Sequence, residues 1–141
     1  MTDTAIYKAK LLQHFKHPCN KAYGDLAHLQ VIKRGSNPRC GDDIEVGFNL
    51  VDDHIEQIQF RGRGCSVCIA AASMMTELVS GESIEDVRSL VSDMQHWIDG
   101  ERIEIPETLK PLDAVRHHPA RKQCVMLCWN ALASGLEQDS A

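Results

Sequence analysis

Three of the six cysteines in this 141-residue chain stand where the sequence predicts the end of a helix or strand. Cys40 lies in the turn sequence "NPRCGDD", Cys65 at the junction of a strand and a helix, and Cys124 in the first turns of the last helix. Rigid scaffolds tend to present functional side chains at such ends. Because thiolates bind soft metal ions and attack sulfur, these positions indicate metal binding or sulfur transfer.

A carboxylate accompanies the first of these thiols. Asp42 follows Cys40 by two residues and can turn its side chain toward the same point. Three thiolates and one carboxylate are the four donors that a tetrahedral Zn²⁺ site takes, and similar ligands hold an iron–sulfur cluster. Asp42 could equally cap the turn by accepting backbone N–H groups. The local sequence leaves both roles open.

Helix N-termini should lower the pKa of two of these thiols. Unpaired N–H groups and the helix dipole favour a thiolate, so we expect the effect to be strong at Cys65 and weaker at Cys124. Four basic residues close in sequence should push the pKa in the same direction: Arg61, Arg63, Arg121 and Lys122.

The sequence gives weaker evidence for a metal-binding or reactive role of the other three cysteines. Cys68 and Cys128 lie within apolar helix faces, which favours packing in the core. Cys65 and Cys68 also form a CxxC pair, but a single pair without a second at zinc-ribbon spacing is a weak metal signal. Cys19, in the loop sequence "HPCN", is assigned no role.

Hydrophobic patterning predicts the elements that position these residues. An apolar stripe predicts an amphipathic helix over residues 4–16, formed by Ala5, Ala9, Leu12 and Phe15. Aliphatic residues predict a strand over 26–33, and strict alternation predicts a hairpin over 43–60. The two glycines of the following "RGRG" allow unusual backbone angles. A buried helix then begins near Cys65 and ends before Gly81.

The sequence predicts that the second half of the chain is mostly helical. Ser83 is a good N-cap for a helix over 84–98, a polar connection follows over 101–111, a short helix ends near His118, and a last helix covers about 120–136. Early strands and late helices predict an α+β fold, with a small antiparallel sheet of about three strands packed against several α-helices. We expect one domain spanning residues 1–141.

Composition narrows the class of protein. A net charge of −5 argues against a nucleic-acid partner. No apolar run approaches the roughly 20 residues that span a bilayer, and the N-terminus lacks the apolar core of a signal peptide. Reduced thiols are then more plausible than a disulfide framework, and we expect a cytoplasmic protein without a membrane partner.

Three motifs together resemble one known family. "NPRCGD" at 37–42, "GRGCSVCIAAASMM" at 62–75 and "PARKQC" at 119–124 resemble the cysteine motifs of the IscU, SufU and NifU N-terminal family of iron–sulfur cluster assembly. The resemblance runs from the first helix to about residue 135. It implies that three loops converge on one exposed edge and that a cysteine desulfurase binds there. It also implies a ligand set, which is Cys40, Asp42, Cys65 and Cys124.

Details of the third motif favour the SufU branch. Gln123 stands where IscU-type proteins have histidine, the segment "HHPARKQ" replaces their chaperone motif, and Cys65 and Cys124 are 59 positions apart. Arg121, three positions before the last cysteine, also resembles SufU. His117 and His118 are interpreted as solvated loop residues rather than additional ligands. Basic residues of the segment 116–122 could meet an acidic surface on the desulfurase.

The resemblance leaves three functions open. In the SufU reading the site holds zinc, Cys40 accepts persulfide sulfur from a SufS-type or IscS-type desulfurase with Arg121 in support, and the protein is a sulfurtransferase. In the second reading it is a non-enzymatic scaffold, on which Cys40, Cys65 and Cys124 bind a [2Fe–2S] cluster that passes to apo iron–sulfur proteins or a downstream scaffold. In the third, zinc only stabilises a domain that docks a partner.

Overall fold

The computed structural model describes residues 3–139. The chain forms α1 (Asp3–Lys16), β1 (Val31–Asn37), β2 (Asp42–Val51), β3 (His54–Arg63), α2 (Ser66–Val79), α3 (Ile84–Ile98), a 3₁₀ helix (Glu107–His117) and α4 (Pro119–Asp139). Within these residues, no helix is both long and apolar enough to cross a membrane.

The strands form an antiparallel meander in the order β1-β2-β3. Ile44, Val46 and Phe48 of β2 alternate along the strand and are fully buried, because they face the helices. α4 packs on β1 and β2, α2 packs on β3, and the two helices contact each other. The predicted α+β class and the predicted 43–60 hairpin are therefore confirmed.

The predicted strand over 26–33 is wrong in its bounds. β1 begins only at Val31 and continues to Asn37, while Leu26 and Leu29 form a turn closed by a 2.9 Å hydrogen bond from Leu29 N–H to Leu26 C=O. Both leucines are buried over Gly47, where an added Cβ would meet Leu29 at 2.8 Å. These leucines are apolar because they cover the outer face of the sheet, not because they belong to a strand.

The predicted apolar stripe of α1 is also wrong. Leu12 and Phe15 are 46% and 39% exposed, and Ala5 and Ala9 are exposed as well. The helix instead turns its half-buried side toward α2 and the 3₁₀ helix, using Tyr7, Leu11 and His14. Two of these side chains carry polar groups that find hydrogen-bond partners, so a purely apolar pattern selects the wrong face.

The helical half follows the prediction closely. α2 begins at Ser66 with Cys65 as its N-cap, and Gly81 follows the helix at φ +82°. Ser83 caps α3 by accepting a hydrogen bond from the Asp86 N–H at 3.1 Å. The short helix is longer than expected, because a 3₁₀ helix already begins at Glu107 inside the predicted connection.

Candidate metal centre

A tight turn between β1 and β2 presents Cys40 to solvent. Asn37 and Asp42 are paired across the two strands, so residues 38–41 must reverse the chain. The turn is closed by a 3.1 Å hydrogen bond from Cys40 N–H to Asn37 C=O, and Gly41 adopts φ +70°. This left-handed conformation favours glycine. Cys40 is exposed, as the turn composition predicts.

Asp42 lies directly below this turn and is only 1% exposed. Its Oδ1 accepts a hydrogen bond from the backbone N–H of Cys65 at 2.9 Å. Its Oδ2 is buried and has no hydrogen-bond partner among residues 3–139. A buried carboxylate oxygen normally has a partner, and losing one costs roughly 1–3 kcal/mol. One oxygen therefore acts as the backbone cap that the sequence allowed, and the other has no hydrogen-bond partner within the described part of the chain.

The last residues of β3 and the two that follow bring Cys65 close to Asp42. Gly62 adopts φ +129° and lies so close to β2 that an added Cβ would meet Asp43 C=O at 2.1 Å. At Gly64, an added Cβ would lie 3.0 Å from Cys68 Sγ and 3.1 Å from Asp42 Oδ1. One glycine thus supplies the backbone angle and the other supplies the space that lets Cys65 approach Asp42.

Cys124 completes the group from the second turn of α4. It is fully buried, and its thiol donates to Ala120 C=O at 3.7 Å. The ligand atoms of Cys40, Asp42 and Cys124 all lie within 4.8 Å of one another. The Cys65 sulfur neighbours Cys124 but does not lie within that distance of all three. The structure therefore brings together three of the four predicted donors closely and holds the fourth by its backbone.

The expected lowering of the Cys124 pKa is wrong in sign. Burial, followed by the closeness of Asp42 and Cys65, raises the pKa of the Cys124 thiol well above its usual range. The favourable field of a helix N-terminus fades within the first turn, whereas Cys124 lies in the second turn and out of water. The picture of three loops on one exposed edge also needs correction, because Cys124 belongs to a helix and faces inward.

Basic side chains do not supply the expected positive field through direct contacts. Arg61 binds Glu45 at 2.9 Å on the outer side of the sheet. In the part of the chain that the structure describes, no hydrogen bond or ion pair joins Arg63, Arg121 or Lys122 to a site thiol or to Asp42.

One basic residue of the segment 116–122 makes contacts within the fold. Arg116 stacks on Trp97, with its guanidinium 4.5 Å from the ring centroid, and donates to Trp97 C=O at 2.8 Å. His117, His118 and Arg121 are exposed, and neither histidine belongs to the donor group. The basic surface that the sequence suggested is therefore smaller than its composition implies.

The remaining helix cysteines are buried, as predicted. Cys68 and Cys128 are fully inaccessible. Burial raises the pKa of Cys128 to about 12, and burial together with Asp42 raises the pKa of Cys68. The Cys68 sulfur lies at the edge of the site, beside Asp42, which the sequence did not predict. The CxxC spacing of Cys65 and Cys68 was the one feature of the sequence that pointed to this position.

The donor set fits a divalent metal ion. Sulfur donors from Cys40 and Cys124 and a carboxylate oxygen are the ligand types that Zn²⁺ accepts, with Cys65 beside them. The buried Oδ2 of Asp42 has no donor among the residues that the structure describes, so a cation would satisfy an acceptor that those residues leave unpaired. Chemically, such a group can hold a metal ion while leaving one thiol, Cys40, in contact with solvent.

Comparisons with known proteins agree with this geometry. The NifU-like N terminal domain matches residues 6–139. The chain is 31% identical over 137 residues to the zinc-dependent sulfurtransferase SufU of Bacillus subtilis (strain 168), covering 95% of this chain and 91% of that protein. It is also 31% identical over 138 residues to the iron-sulfur cluster assembly scaffold protein IscU of Streptococcus pyogenes serotype M1, covering 96% and 85%.

A solved structure shows the same fold. The N-terminal NifU-like protein from Brucella abortus superimposes with a TM-score of 0.84, covering 96% of this chain and 94% of that chain at 22% identity. The match to the family extends over nearly the whole chain and includes all three cysteine motifs. The resemblance that those motifs carried is thereby confirmed, and the chain belongs to the family of NifU-like N-terminal domains of iron–sulfur cluster assembly.

Proposed function

We propose that this protein is a zinc-dependent sulfur-transfer protein of iron–sulfur cluster assembly, in which Cys40 accepts persulfide sulfur from a cysteine desulfurase. One observation carries the proposal. In the close donor group, Asp42 and Cys124 are buried and Cys40 is exposed on a turn. A thiol in this position can belong to a metal site and still be reached by a sulfur atom on another protein.

The proposed ligands are Cys40, Asp42, Cys65 and Cys124. When bound, zinc would favour the thiolate forms of its cysteine ligands, since metal ligands must be deprotonated. This stabilisation of the thiolate matters most at Cys124, because burial raises the pKa of its thiol and favours the protonated form. Asp42 fixes the backbone of Cys65 through Oδ1, so the same carboxylate orients one ligand and offers its second oxygen to the ion.

The transfer step needs no external oxidant. The Cys40 thiolate attacks the terminal sulfur of a cysteine persulfide on the desulfurase, and a new S–S bond forms at Cys40. The S–S bond of the donor breaks, and the donor cysteine leaves as a thiolate. Arg121 is the proposed supporting residue because its side chain is exposed and without an ion-pair partner among the described residues, close in sequence to Cys124.

A scaffold function is the second candidate. It is favoured by the named function of the Streptococcus pyogenes relative and by the donor types, since cysteines also hold [2Fe–2S] clusters. In that case Cys40, Cys65 and Cys124 would bind a cluster that passes to apo iron–sulfur proteins. Gln123 favours the sulfur-transfer function, because the family's scaffold branch has histidine at that position.

One experiment separates the candidates. Zinc and iron are measured in the purified protein, and sulfide release is followed after adding a SufS-type desulfurase and cysteine. Sulfur transfer predicts bound zinc and stimulated release that Cys40→Ala abolishes, while Cys19→Ala, a half-buried thiol elsewhere, keeps it. A transferable cluster after anaerobic reconstitution, without any stimulation, would favour the scaffold. Unchanged behaviour of Cys40→Ala in both assays would leave only a structural zinc domain.

The free thiols support a cytoplasmic setting for the proposed function. All six cysteines are free, and thiolate chemistry at Cys40 requires that they stay so. Reduced thiols persist in the cytosol, whereas oxidising compartments favour disulfides. We therefore place the proposed function in the cytoplasm, with a desulfurase as donor and iron–sulfur proteins or a scaffold downstream.

A further inference from the structure

A second group of metal-binding side chains lies where α1 meets α2. His14, Cys19 and Glu77 have their ligand atoms within 4.8 Å of one another. His14 Nε2 lies 3.7 Å from Glu77 Oε2, and Cys19 Sγ lies 3.8 Å from the same oxygen. None of these residues belongs to the centre formed by Cys40, Asp42 and Cys124.

These separations suit a shared ion. Zn–N, Zn–O and Zn–S bonds of about 2.0, 2.1 and 2.3 Å in a tetrahedron place N and O about 3.3 Å apart and S and O about 3.6 Å apart. The observed 3.7 and 3.8 Å therefore need closure of only a few tenths of an ångström. Nitrogen, sulfur and carboxylate oxygen together are a donor set for a borderline ion such as Zn²⁺.

Buried hydroxyls of α2 hold two of the three ligands in place. Ser73 Oγ, fully buried, lies 2.8 Å from His14 Nδ1, so the other ring nitrogen faces Glu77. The same oxygen accepts the Cys19 N–H at 2.8 Å, while the Thr76 hydroxyl donates to Cys19 C=O at 3.2 Å. A ligating histidine fixed through its second nitrogen is typical of metal sites.

The group opens into a cavity that can admit an ion and water. The cavity has a volume of about 370 Å³, and its lining includes Lys10, His17 and Glu107 beside the three ligands. His14 and Cys19 are half-buried and Glu77 is exposed, so an ion could enter from solvent. His17 lines the cavity but does not belong to the three-donor group.

From this geometry we propose that His14 Nε2, Cys19 Sγ and Glu77 Oε2 form a second site for a Zn²⁺-type ion, with water as the fourth ligand. The ion would tie the end of α1 and the following loop to α2. The site accounts for a cysteine to which the sequence alone assigned no role. It uses no residue of the proposed sulfur-transfer centre, so either can fail without the other.

Metal stoichiometry tests the site. Metal-free protein is titrated with Zn²⁺, and with Co²⁺ to follow the thiolate absorption band. We expect two equivalents in the wild type, one of them at the sulfur-transfer centre, and one fewer than the wild type in Glu77→Gln, an exposed and nearly isosteric change that should not disturb folding. His14→Gln should behave likewise. His17→Gln, the control from the same cavity, should keep both equivalents.

The affected affinity should fall by more than the 10–100-fold that loss of an outer-shell partner typically costs. A wild type and a Glu77→Gln variant that bind the same number of equivalents with the same affinity would overturn the proposal, whether that number is one or two. Loss of the second equivalent in His17→Gln would overturn the assigned ligand set.

Discussion

The backbone N–H of Cys65 donates a 2.9 Å hydrogen bond to Oδ1 of Asp42, 23 residues earlier in the chain. This contact fixes the start of α2 against the start of β2. It also gives the two carboxylate oxygens different roles, because Oδ2 is buried and has no hydrogen-bond partner in the described structure. Much of the behaviour of the centre should follow from this division.

Asp42→Asn should weaken zinc binding without unfolding the protein. The amide oxygen can still accept the Cys65 N–H, but the charge and the second acceptor are lost. We expect zinc affinity to fall at least tenfold, measured by competition with a chromophoric chelator. Asp43→Asn is the matched control, since Asp43 pairs with Arg34 on the surface. An equal loss in both variants would contradict a specific role for Asp42.

Asp42→Ala should cost stability even without metal. The Cys65 N–H then loses its acceptor in a half-buried position, so the free energy of unfolding should fall by about 1–3 kcal/mol. Urea denaturation of the metal-free protein measures this. If Asp42→Ala is as stable as the wild type, the hydrogen bond does not support the fold.

Gly64→Ala should disturb the centre through crowding. The new Cβ would lie about 3 Å from both Cys68 Sγ and Asp42 Oδ1, and these atoms must move. We expect zinc affinity to fall about 10–100-fold, as after loss of an outer-shell partner. Gly24→Ala is the control, because an added Cβ there meets nothing within 4 Å. Wild-type affinity in Gly64→Ala would show that the space is not needed.

Alkylation of the metal-free, folded protein should distinguish the thiols by their accessibility. Cys40 is exposed, whereas Cys68, Cys124 and Cys128 are buried. Iodoacetamide followed by peptide mass spectrometry should modify Cys40 at least tenfold faster than Cys124. Comparable rates would contradict the burial of Cys124 and would agree with the exposed edge that the family resemblance implied.

Alkaline pH should destabilise the protein through Cys128. Its pKa is about 12 in the fold, against roughly 8.5 in the unfolded chain, so the folded state retains a proton that the unfolded state loses. The contribution to the unfolding free energy is complete below about pH 8.5 and falls by up to about 1.4 kcal/mol per pH unit above it.

Urea denaturation between pH 8 and 10 measures this slope, with Cys128→Ala as the comparison. The variant should be less stable at pH 8 because of the cavity but should lose stability less steeply as the pH rises. Parallel curves for both proteins would show that Cys128 does not contribute to the pH dependence of stability.

The sequence predicted those features that depend on short-range patterns. Alternation located β2 and β3, the Ser83 cap located α3, and the "NPRCGD" turn located Cys40 and Asp42. It misplaced β1 because Leu26 and Leu29 are apolar for a different reason: they cover Gly47 across the sheet. Such a contact between distant segments leaves no periodic signal.

Burial was the main limit on predicting the chemistry. The position of Cys124 near the start of a helix indicated a lowered pKa, but packing of α4 against α2 and the sheet removes the thiol from water and reverses the shift. Likewise, His14 contacts Ser73 of α2, so α1 packs with a face that includes polar side chains and not with its predicted apolar stripe. The single-domain extent over residues 1–141 stays a prediction.

Direct detection of sulfur on Cys40 tests the central proposal. The protein is incubated with a cysteine desulfurase and cysteine, trapped by alkylation, digested and analysed by mass spectrometry. Sulfur transfer through Cys40 predicts one additional sulfur atom on the Cys40 peptide, formed faster than on any other cysteine, and its absence when the desulfurase is omitted. Persulfide confined to another cysteine, with Cys40 unmodified at every time point, would overturn the role proposed for Cys40.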